Sequence, residues 1–455
     1  MLDPFRATDI STLHEWIARG EIRASELSEW TIARSKDLDP HYHFWVCHDP
    51  DNLRDQARLS QARVTEGQTL RPLEAMPVGV KDIFNTHDYP TQMGSPLWKD
   101  FRPGNDARVV YSLRNAGGLV AGKTVTAEFA VHAEPETINP HNPALTPGTS
   151  SSGSAVAVAL GVVPVALGTQ TGASITRPAS FCGIYGFKPS FGLLPRTGIL
   201  KTTDSLDTVG FFSSRYGNLR RVFNVLRVQG MNYPLSHKAL MDQERQSPTP
   251  GRPFKILLAR THTWDQATEE ARSQLLAYAH ELSASGAVEI FEDPLPGSLE
   301  QCHILHSIIY DKSLSYYFKD ESRQEMLISP AIREMLAHGS SVGVSDFHAA
   351  VARQEQLCAS VDAFLTKYDA VLSLSTAGPA PLRDTYPPAD PGLMWTMLHL
   401  PSISVPRFAT KEGLPIGVQF SARRFNDFLL LGVLDTLRAL DLVPAGSFPV
   451  AHPIV

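Results

Sequence analysis

Two hydroxyl-rich loops in the middle of the chain carry the residue types that could do chemistry. The first runs from Gly148 to Ser154 and the second from Gly168 to Ser174, and both consist almost entirely of glycine, serine, threonine and other small residues. Loops with so few large side chains bring backbone N–H groups close to a bound ligand. Serine hydroxyls beside such groups are candidate nucleophiles. The pair of loops therefore predicts a ligand site with a serine nucleophile.

Patterns typical of other sites are absent or weak. The chain has no G-x-x-x-x-G-K-[ST], no S-x-x-K and no H-E-x-x-H motif, which disfavours a phosphate loop, a penicillin-binding site and a zinc protease. Serine clusters often act only as helix caps, and we expect Ser154 to cap the helix that follows it. Cys302, His303 and His306 have helical spacing and could touch a metal, but a packed helix face is the favoured interpretation.

Short apolar segments alternate with helical patterns on both sides of the loops. This alternation predicts an α/β layered sheet, largely parallel, and a single domain, because strands occur before and after a helical middle. A stretch rich in proline and alanine, residues 373–392, is predicted to be a long loop. The predicted strand segments are 44–46, 78–81, 119–123, 164–168, 255–258, 370–372, 402–405 and 417–420.

Composition narrows the class of protein. The 455 residues are 43% hydrophobic and 19% charged, with a formal net charge of −6, so no basic surface for nucleic acid is expected. Four scattered cysteines predict free thiols in a reducing, cytoplasmic compartment. The longest apolar stretch, 155–167, contains Pro164 and is shorter than the ~20 residues that a membrane span needs.

The block that contains both loops, PGTSSSGSAVAVALGVVPVALGTQTGASITRPASFCGIYGFKPS, resembles the serine- and glycine-rich signature of the amidase signature family. Upstream PVGVKD and downstream SLDTVG and GLPIGVQ also resemble that family, in the same order. The resemblance implies an α/β/α layered fold with a central mixed β-sheet flanked by helices. It also implies one domain over 1–455, with an N-terminal helical layer (1–68), a signature core (70–215) and a C-terminal portion (216–455) that completes the sheet.

Transferred position by position, the resemblance makes Ser174 the nucleophile, Ser150 the bridging serine and Lys81 the base. It implies a serine amidohydrolase that forms an acyl-enzyme, needs no metal or organic cofactor, acts on a small-molecule amide and forms a homodimer. It also implies a cis peptide bond on one side of the bridging serine, between residues 149 and 150 or 150 and 151.

Physical chemistry explains why a lysine and two serines belong together. A serine hydroxyl is a weak nucleophile at neutral pH and needs a base. Lysine can act as that base only when it is neutral, which burial without a carboxylate partner achieves by lowering its pKa. Backbone N–H groups would stabilise the oxyanion. Those groups are expected to belong to Thr171, Gly172, Ala173 and Ser174.

Two positions depart from the family's usual pattern, which has glycine at both. They are Thr149, before the bridging serine, and Ala173, before the nucleophile. A side chain at either position costs about 1 kcal/mol or more if the backbone there has positive φ.

Arg177, three residues after Ser174, is the main indication of the substrate. Its spacing is similar to that of the malonamidase-like branch of the family, in which the arginine binds a substrate carboxylate. The chain could accordingly act on a half-amide that carries a carboxylate, with Ser151 as a weaker second contact. The alternative is that Arg177 joins loops by binding backbone carbonyls or an internal acid.

Three other functions remain open. The first is an esterase or ureide hydrolase that uses the same three residues. The second is the glutaminase subunit of a tRNA-dependent amidotransferase, which would have a partner chain. The third is a non-catalytic binding protein with a relict site.

Overall fold

A large β-sheet forms the centre of the molecule. The computed structural model describes residues 3–249, 251–383, 385 and 388–450. Within these residues the strands are β1 (Trp45–His48), β2 (Pro77–Lys81), β3 (Leu119–Thr124), β4 (Val165–Gln170), β5 (Tyr185–Lys188), β6 (Thr208–Ser213), β7 (Phe254–Leu258), β8 (Val288–Phe291), β9 (Ala370–Leu374), β10 (Ser402–Ala409) and β11 (Pro415–Ser421). They form one 11-stranded sheet in the order β1-β3-β2-β4-β6-β5-β10-β11-β9-β7-β8.

Helices flank this sheet. They are α1 (Pro4–Ala7), α2 (Ile10–Ala18), α3 (Ala24–Tyr42), α4 (Pro50–Thr65), α5 (Arg108–Asn115), α6 (Ser152–Ala159), α7 (Thr176–Cys182), α8 (Asn218–Leu226), α9 (Pro234–Met241), α10 (Gln243–Gln246), α11 (Glu269–Ala284), α12 (Cys302–Tyr317), α13 (Pro330–Ser341), α14 (Val344–Phe364), α15 (Leu393–Met397) and α16 (Asp427–Ala439). None of the described helices combines the length and apolar character that crossing a membrane requires.

The sheet is mixed, as the family resemblance implied, and the expectation of a largely parallel sheet was wrong. Parallel pairing joins β2 to β3 and β4, and β7 to β8 and β9. The other strand pairs are antiparallel, including β4 with β6 and β6 with β5. All eight predicted strand segments overlap strands, but β5, β6 and β8 were missed. Two of these missed strands, β5 and β6, introduce antiparallel pairing into the centre of the sheet.

All three predicted portions of the chain contribute to this sheet. Residues 1–68 supply β1, residues 70–215 supply β2 to β6, and residues 216–455 supply β7 to β11. The largest hydrophobic cluster joins Phe5 to Val80 of β2 and Leu431 of α16. This core is therefore shared by all three portions of the chain, and the single domain stays a prediction.

The helix and strand between the two loops, α6 and β4, lie in the interior of the molecule. Every residue of both elements is buried, which explains why they read as continuous runs of small and apolar residues. Ser154 lies inside α6 rather than at its start, so the cap prediction was wrong. Its hydroxyl instead donates to the Leu167 carbonyl at 2.8 Å and thereby links α6 to β4. The two hydroxyl-rich loops are attached directly to these elements.

Candidate active site

Lys81 is the last residue of β2 and is completely buried. Its Nζ lies 2.8 Å from Ser150 Oγ, 3.0 Å from Ser151 Oγ and 3.0 Å from Thr169 Oγ1. Because β2 and β4 are parallel neighbours, the end of β2 faces the end of β4, which carries Thr169. The predicted lysine and bridging serine are therefore in direct contact.

The surroundings of Lys81 favour its neutral form. Burial lowers the pKa of Lys81 well below its usual value, and the charge of Asp207 opposes this only in part. Among the described residues, no carboxylate lies within ion-pairing distance of Nζ. A neutral amine has two N–H donors and one lone pair, and three hydroxyls can satisfy all of them. Lys81 is thus a buried amine whose surroundings consist of hydroxyl groups.

Ser150 is held in place at both its side chain and its backbone. Its hydroxyl donates to the Ala130 carbonyl at 3.0 Å, and Thr126 Oγ1 donates to the Ser150 carbonyl at 3.0 Å. Every peptide bond among the described residues is trans, so the expected cis bond beside Ser150 is absent and that expectation is corrected. The loop makes its turn at Thr149 instead, with φ of 69°.

This left-handed conformation explains why the family's pattern has glycine at position 149. A threonine there costs about 1–2 kcal/mol, because its Cβ approaches the carbonyl oxygen. Thr149 Oγ1 lies 3.4 Å from Glu134 Oε2, a weak hydrogen bond that offsets only part of this cost. Ala173, the second departure, has no positive φ and is accommodated without strain.

Ser174 lies in the wall of a cavity of about 390 Å³ and is 7% exposed. Its hydroxyl makes no hydrogen bond to another described residue, so the link to Ser150 is not formed here. The N–H groups of residues 171–174 likewise have no acceptor in the described part of the chain. All four of these residues line the same cavity. Free N–H groups beside a free hydroxyl are the arrangement that an oxyanion hole requires.

Two side chains that sequence reasoning did not identify as functional hold the carbonyl side of this loop. His306 Nε2 donates to the Thr171 carbonyl at 2.9 Å, and Thr396 Oγ1 donates to the Gly172 carbonyl at 2.6 Å. The Ala173 carbonyl accepts from the Arg177 N–H at 2.8 Å. With the carbonyls held on one side, the N–H groups remain free on the other. His306 lies 135 residues from Thr171 along the chain. The sequence therefore showed only that His306 belongs to a helical pattern, and that pattern predicted a packed helix face.

Arg177 binds an internal acid and lies near a backbone carbonyl, which is the predicted alternative to binding a substrate carboxylate. Its Nη1 lies 2.6 Å from Asp390 Oδ2, and its Nε lies 3.4 Å from the Gly148 carbonyl oxygen. Asp390 belongs to the stretch predicted as a long loop, residues 373–392, which overlaps the last two residues of β9 and ends where α15 begins. Both side chains line the cavity. Ser151, the other predicted substrate contact, is buried against Lys81 and does not line the cavity.

One cluster of the described residues has a donor set suited to a metal ion: His87, Asp88 and Asp106. Arg114 lies 2.7 Å from Asp88 and 3.1 Å from Asp106, so one guanidinium already pairs with both acids. A groove of about 730 Å³ between α5 and α8 is larger than the Ser174 cavity but contains none of the predicted site residues.

The sequence of this chain is similar to a known family and to individual known proteins. A family model described as Amidase matches residues 26–431. A glutamyl-tRNA(Gln) amidotransferase subunit from Chloroflexus aggregans is 38% identical over 223 residues, which are 48% of this chain and 46% of that protein. The chain thus aligns with slightly less than half the length of that relative. The corresponding subunit from Heliobacterium modesticaldum is 27% identical over 468 residues, covering 92% of this chain and 94% of that protein.

Solved structures have the same fold. A crystal structure of an amidase superposes with a TM-score of 0.83 at 26% identity, covering 94% of this chain and 99% of the other. The peptide amidase of Stenotrophomonas maltophilia superposes with a TM-score of 0.80 at 23% identity, covering 98% and 99% of the two chains. The second similarity demonstrates the fold alone.

Proposed function

Because this chain belongs to the Amidase family, we propose that it is a serine amidohydrolase that cleaves the C–N bond of a small carboxamide. In this proposal Ser174 is the nucleophile, Ser150 relays the proton and Lys81 is the base. The observation that carries the proposal is a fully buried lysine that contacts hydroxyl groups instead of a carboxylate and touches the bridging serine at 2.8 Å.

The proposed reaction begins when Ser174 Oγ attacks the amide carbon. Its proton passes to Ser150 and from there to Lys81, while the free N–H groups of residues 171–174 stabilise the oxyanion. The relay then returns a proton to the leaving nitrogen, which an amide needs because a free amide anion is a poor leaving group. Water activated through the same residues hydrolyses the acyl-enzyme. The hydrogen bond between the two serines is expected to form when substrate is bound, since such bonds are often long in unliganded sites.

A half-amide substrate bound through Arg177, as in the malonamidase-like branch, remains one hypothesis within this proposal. The electrostatics of Arg177 disfavour this hypothesis, because Asp390 already neutralises the guanidinium at a distance of 2.6 Å. Replacing Arg177 with leucine would raise KM for acidic amides more than for neutral ones under this hypothesis. An equal effect on both would contradict it and would indicate that Arg177 holds the Asp390 loop.

A second candidate function is the glutaminase component of an amidotransferase. The observation that favours it is the 27% identity to the Heliobacterium amidotransferase subunit over 92% of this chain. This function predicts a stable partner chain, whereas the stand-alone enzyme is predicted to be a cytoplasmic homodimer. Affinity purification of the tagged chain from its native cells, followed by mass measurement of the intact assembly, distinguishes the two compositions.

The experiment that tests the main proposal measures ammonia release from malonamate, malonamide, glutamine and allophanate, and amine release from an aryl amide. Wild type is compared with Ser174→Ala and with Ser152→Ala as a matched control. The Ser152 hydroxyl belongs to the same loop as Ser150 but lies 3.2 Å from Thr137 Oγ1 and contacts none of the site residues. Activity that is lost in the first variant and kept in the second supports the nucleophile. Equal activity in all three proteins would refute it, and an aryl ester or ureide turned over faster than any amide would favour the esterase or ureide alternative.

A further inference from the structure

The charges around the Ser174 cavity are unbalanced. Three carboxylates line it, those of Asp311, Glu334 and Asp390, whereas its basic lining residues are Arg177 and four histidines, His132, His303, His306 and His338. Arg177 and Asp390 form an ion pair at 2.6 Å and cancel each other's charge. The remaining acids, Asp311 and Glu334, lie on α12 and α13. His338 of α13 also lines the cavity and lies within ion-pairing distance of Asp311, so among the described residues Glu334 is the lining carboxylate that has no partner.

The two remaining carboxylates differ in their contacts. Asp311 Oδ2 accepts from Ser307 Oγ at 3.0 Å and lies 2.6 Å from His338 Nδ1, which holds the carboxylate in place. Asp311 is 7% exposed. Glu334 is solvent-exposed at the same cavity and makes no ion pair or side-chain hydrogen bond with another described residue. One acid is thus fixed and largely buried, and the other is unpaired and accessible.

The acidic wall belongs to a site that independent features mark as a place for a ligand. The Ser174 side chain is more than nine-tenths buried, lines the cavity and has no partner for its hydroxyl among the described residues. The free N–H groups beside it also lack acceptors in that part of the chain. A carboxamide whose carbonyl reached these groups would direct the rest of the molecule into the cavity whose wall carries Asp311 and Glu334.

We propose that the site prefers amides that carry a cationic group, an ammonium, at the end remote from the scissile bond. This inference rests on the proposed function and makes the substrate class more specific. An ammonium would be attracted by the unpaired carboxylate of Glu334, whereas a carboxylate would be repelled by it and would find Arg177 already paired with Asp390. A neutral amide would bind with an affinity between those of the cationic and the anionic amide. The preference is therefore opposite to that of a half-amide enzyme.

The test uses three amides of equal chain length that differ only in their terminal group: 4-aminobutanamide, pentanamide and glutaramate. Binding to Ser174→Ala is measured by calorimetry at pH 7.5 and low salt, and turnover by wild type is measured as ammonia release. The cationic amide is expected to bind about tenfold more tightly than the neutral one, and the anionic amide about tenfold more weakly. Raising the ionic strength should reduce both differences, because salt screens an exposed carboxylate.

A Glu334→Gln substitution in the Ser174→Ala background should reduce the cationic-to-neutral ratio to about threefold or less. Glu355→Gln is the matched control, since Glu355 is also exposed, on α14, but does not line the cavity. Equal binding of all three amides, no binding of any of them, or tighter binding of glutaramate would overturn the inference. If the binding order holds but wild type releases no ammonia, the inference stands and the proposed function fails.

Discussion

Two buried lysines on neighbouring strands of the sheet have different partners. Lys81 ends β2 and Lys123 lies in β3, which pairs with β2 in parallel. Both side chains are completely buried. Lys123 Nζ lies 3.1 Å from Asp82 Oδ1 and 2.8 Å from Thr91 Oγ1, and it also donates to the Pro90 carbonyl at 2.9 Å. Among the described residues, Lys81 contacts three hydroxyls and no carboxylate.

The two lysines are equally buried but differ in their electrostatic surroundings. Burial lowers the pKa of both lysines, but at Lys123 the carboxylate of Asp82 opposes this through its charge and a hydrogen bond. A buried lysine with a carboxylate keeps its proton and joins segments of the chain. A buried lysine among hydroxyls is held close to its neutral state and can accept a proton. The presence or absence of one carboxylate thus separates a structural lysine from a proposed base.

The largest expected effect is on activity. Lys81→Met should lower kcat/KM by about 10⁴-fold, because the proposed base is removed while the volume of the side chain is nearly kept. The free energy of unfolding should change by less than about 1.5 kcal/mol, since no charged partner is left behind. Steady-state kinetics and chemical denaturation measure the two quantities. Activity within tenfold of wild type would exclude Lys81 as the base.

Lys123→Met should have the opposite profile. It leaves Asp82 buried without its cation, and we expect the free energy of unfolding to fall by about 3–5 kcal/mol. The double variant Lys123→Met/Asp82→Asn should recover part of this loss, because the unpaired charge is removed. Urea denaturation of the wild type and of the single and double variants measures the coupling. If the losses in free energy of unfolding of the two single variants simply add in the double variant, the ion pair is not what distinguishes the two lysines.

The pH dependence of activity should reveal the state of Lys81. Its neutral form exists above its pKa, so kcat/KM should rise with pH through a pKa well below 10.5 and be lost below it. Thr169→Val removes one of the three hydroxyls that stabilise the protonated amine. The midpoint of the rise should therefore move to lower pH by about one unit. A midpoint that stays unchanged would indicate that another group controls this limb of the profile.

The smallest expected effect concerns the loop that presents Ser150 to Lys81. Thr149→Gly should raise the free energy of unfolding by about 0.5–1 kcal/mol, because glycine adopts positive φ without the Cβ penalty but loses more entropy on folding. Thermal unfolding should detect this as a rise in Tm. A parallel substitution, Ala173→Gly, should not stabilise the protein, because Ala173 has no positive φ.

Much of the site could be predicted from local sequence. The two hydroxyl-rich loops, the strand that bears Lys81 and the helices and strands between them are encoded by short patterns, and each lies near its predicted place. Strands β5 and β6 escaped prediction because YGFK and TVGFFS are short and contain glycine, so they lack a clear alternation. The family resemblance implied a mixed sheet without showing which strands make it so.

The sequence by itself determined which residues are candidates for the proposed site, because Lys81, Ser150 and Ser174 belong to motifs that could be recognised locally. Only the tertiary structure decided their environment. Arg177 pairs with Asp390 across 213 residues, and His306 reaches the Thr171 carbonyl across 135 residues. Burial, charge pairing and the resulting pKa of Lys81 depend on such distant contacts. No local pattern encodes them, since each arises when separate segments of the chain pack against one another.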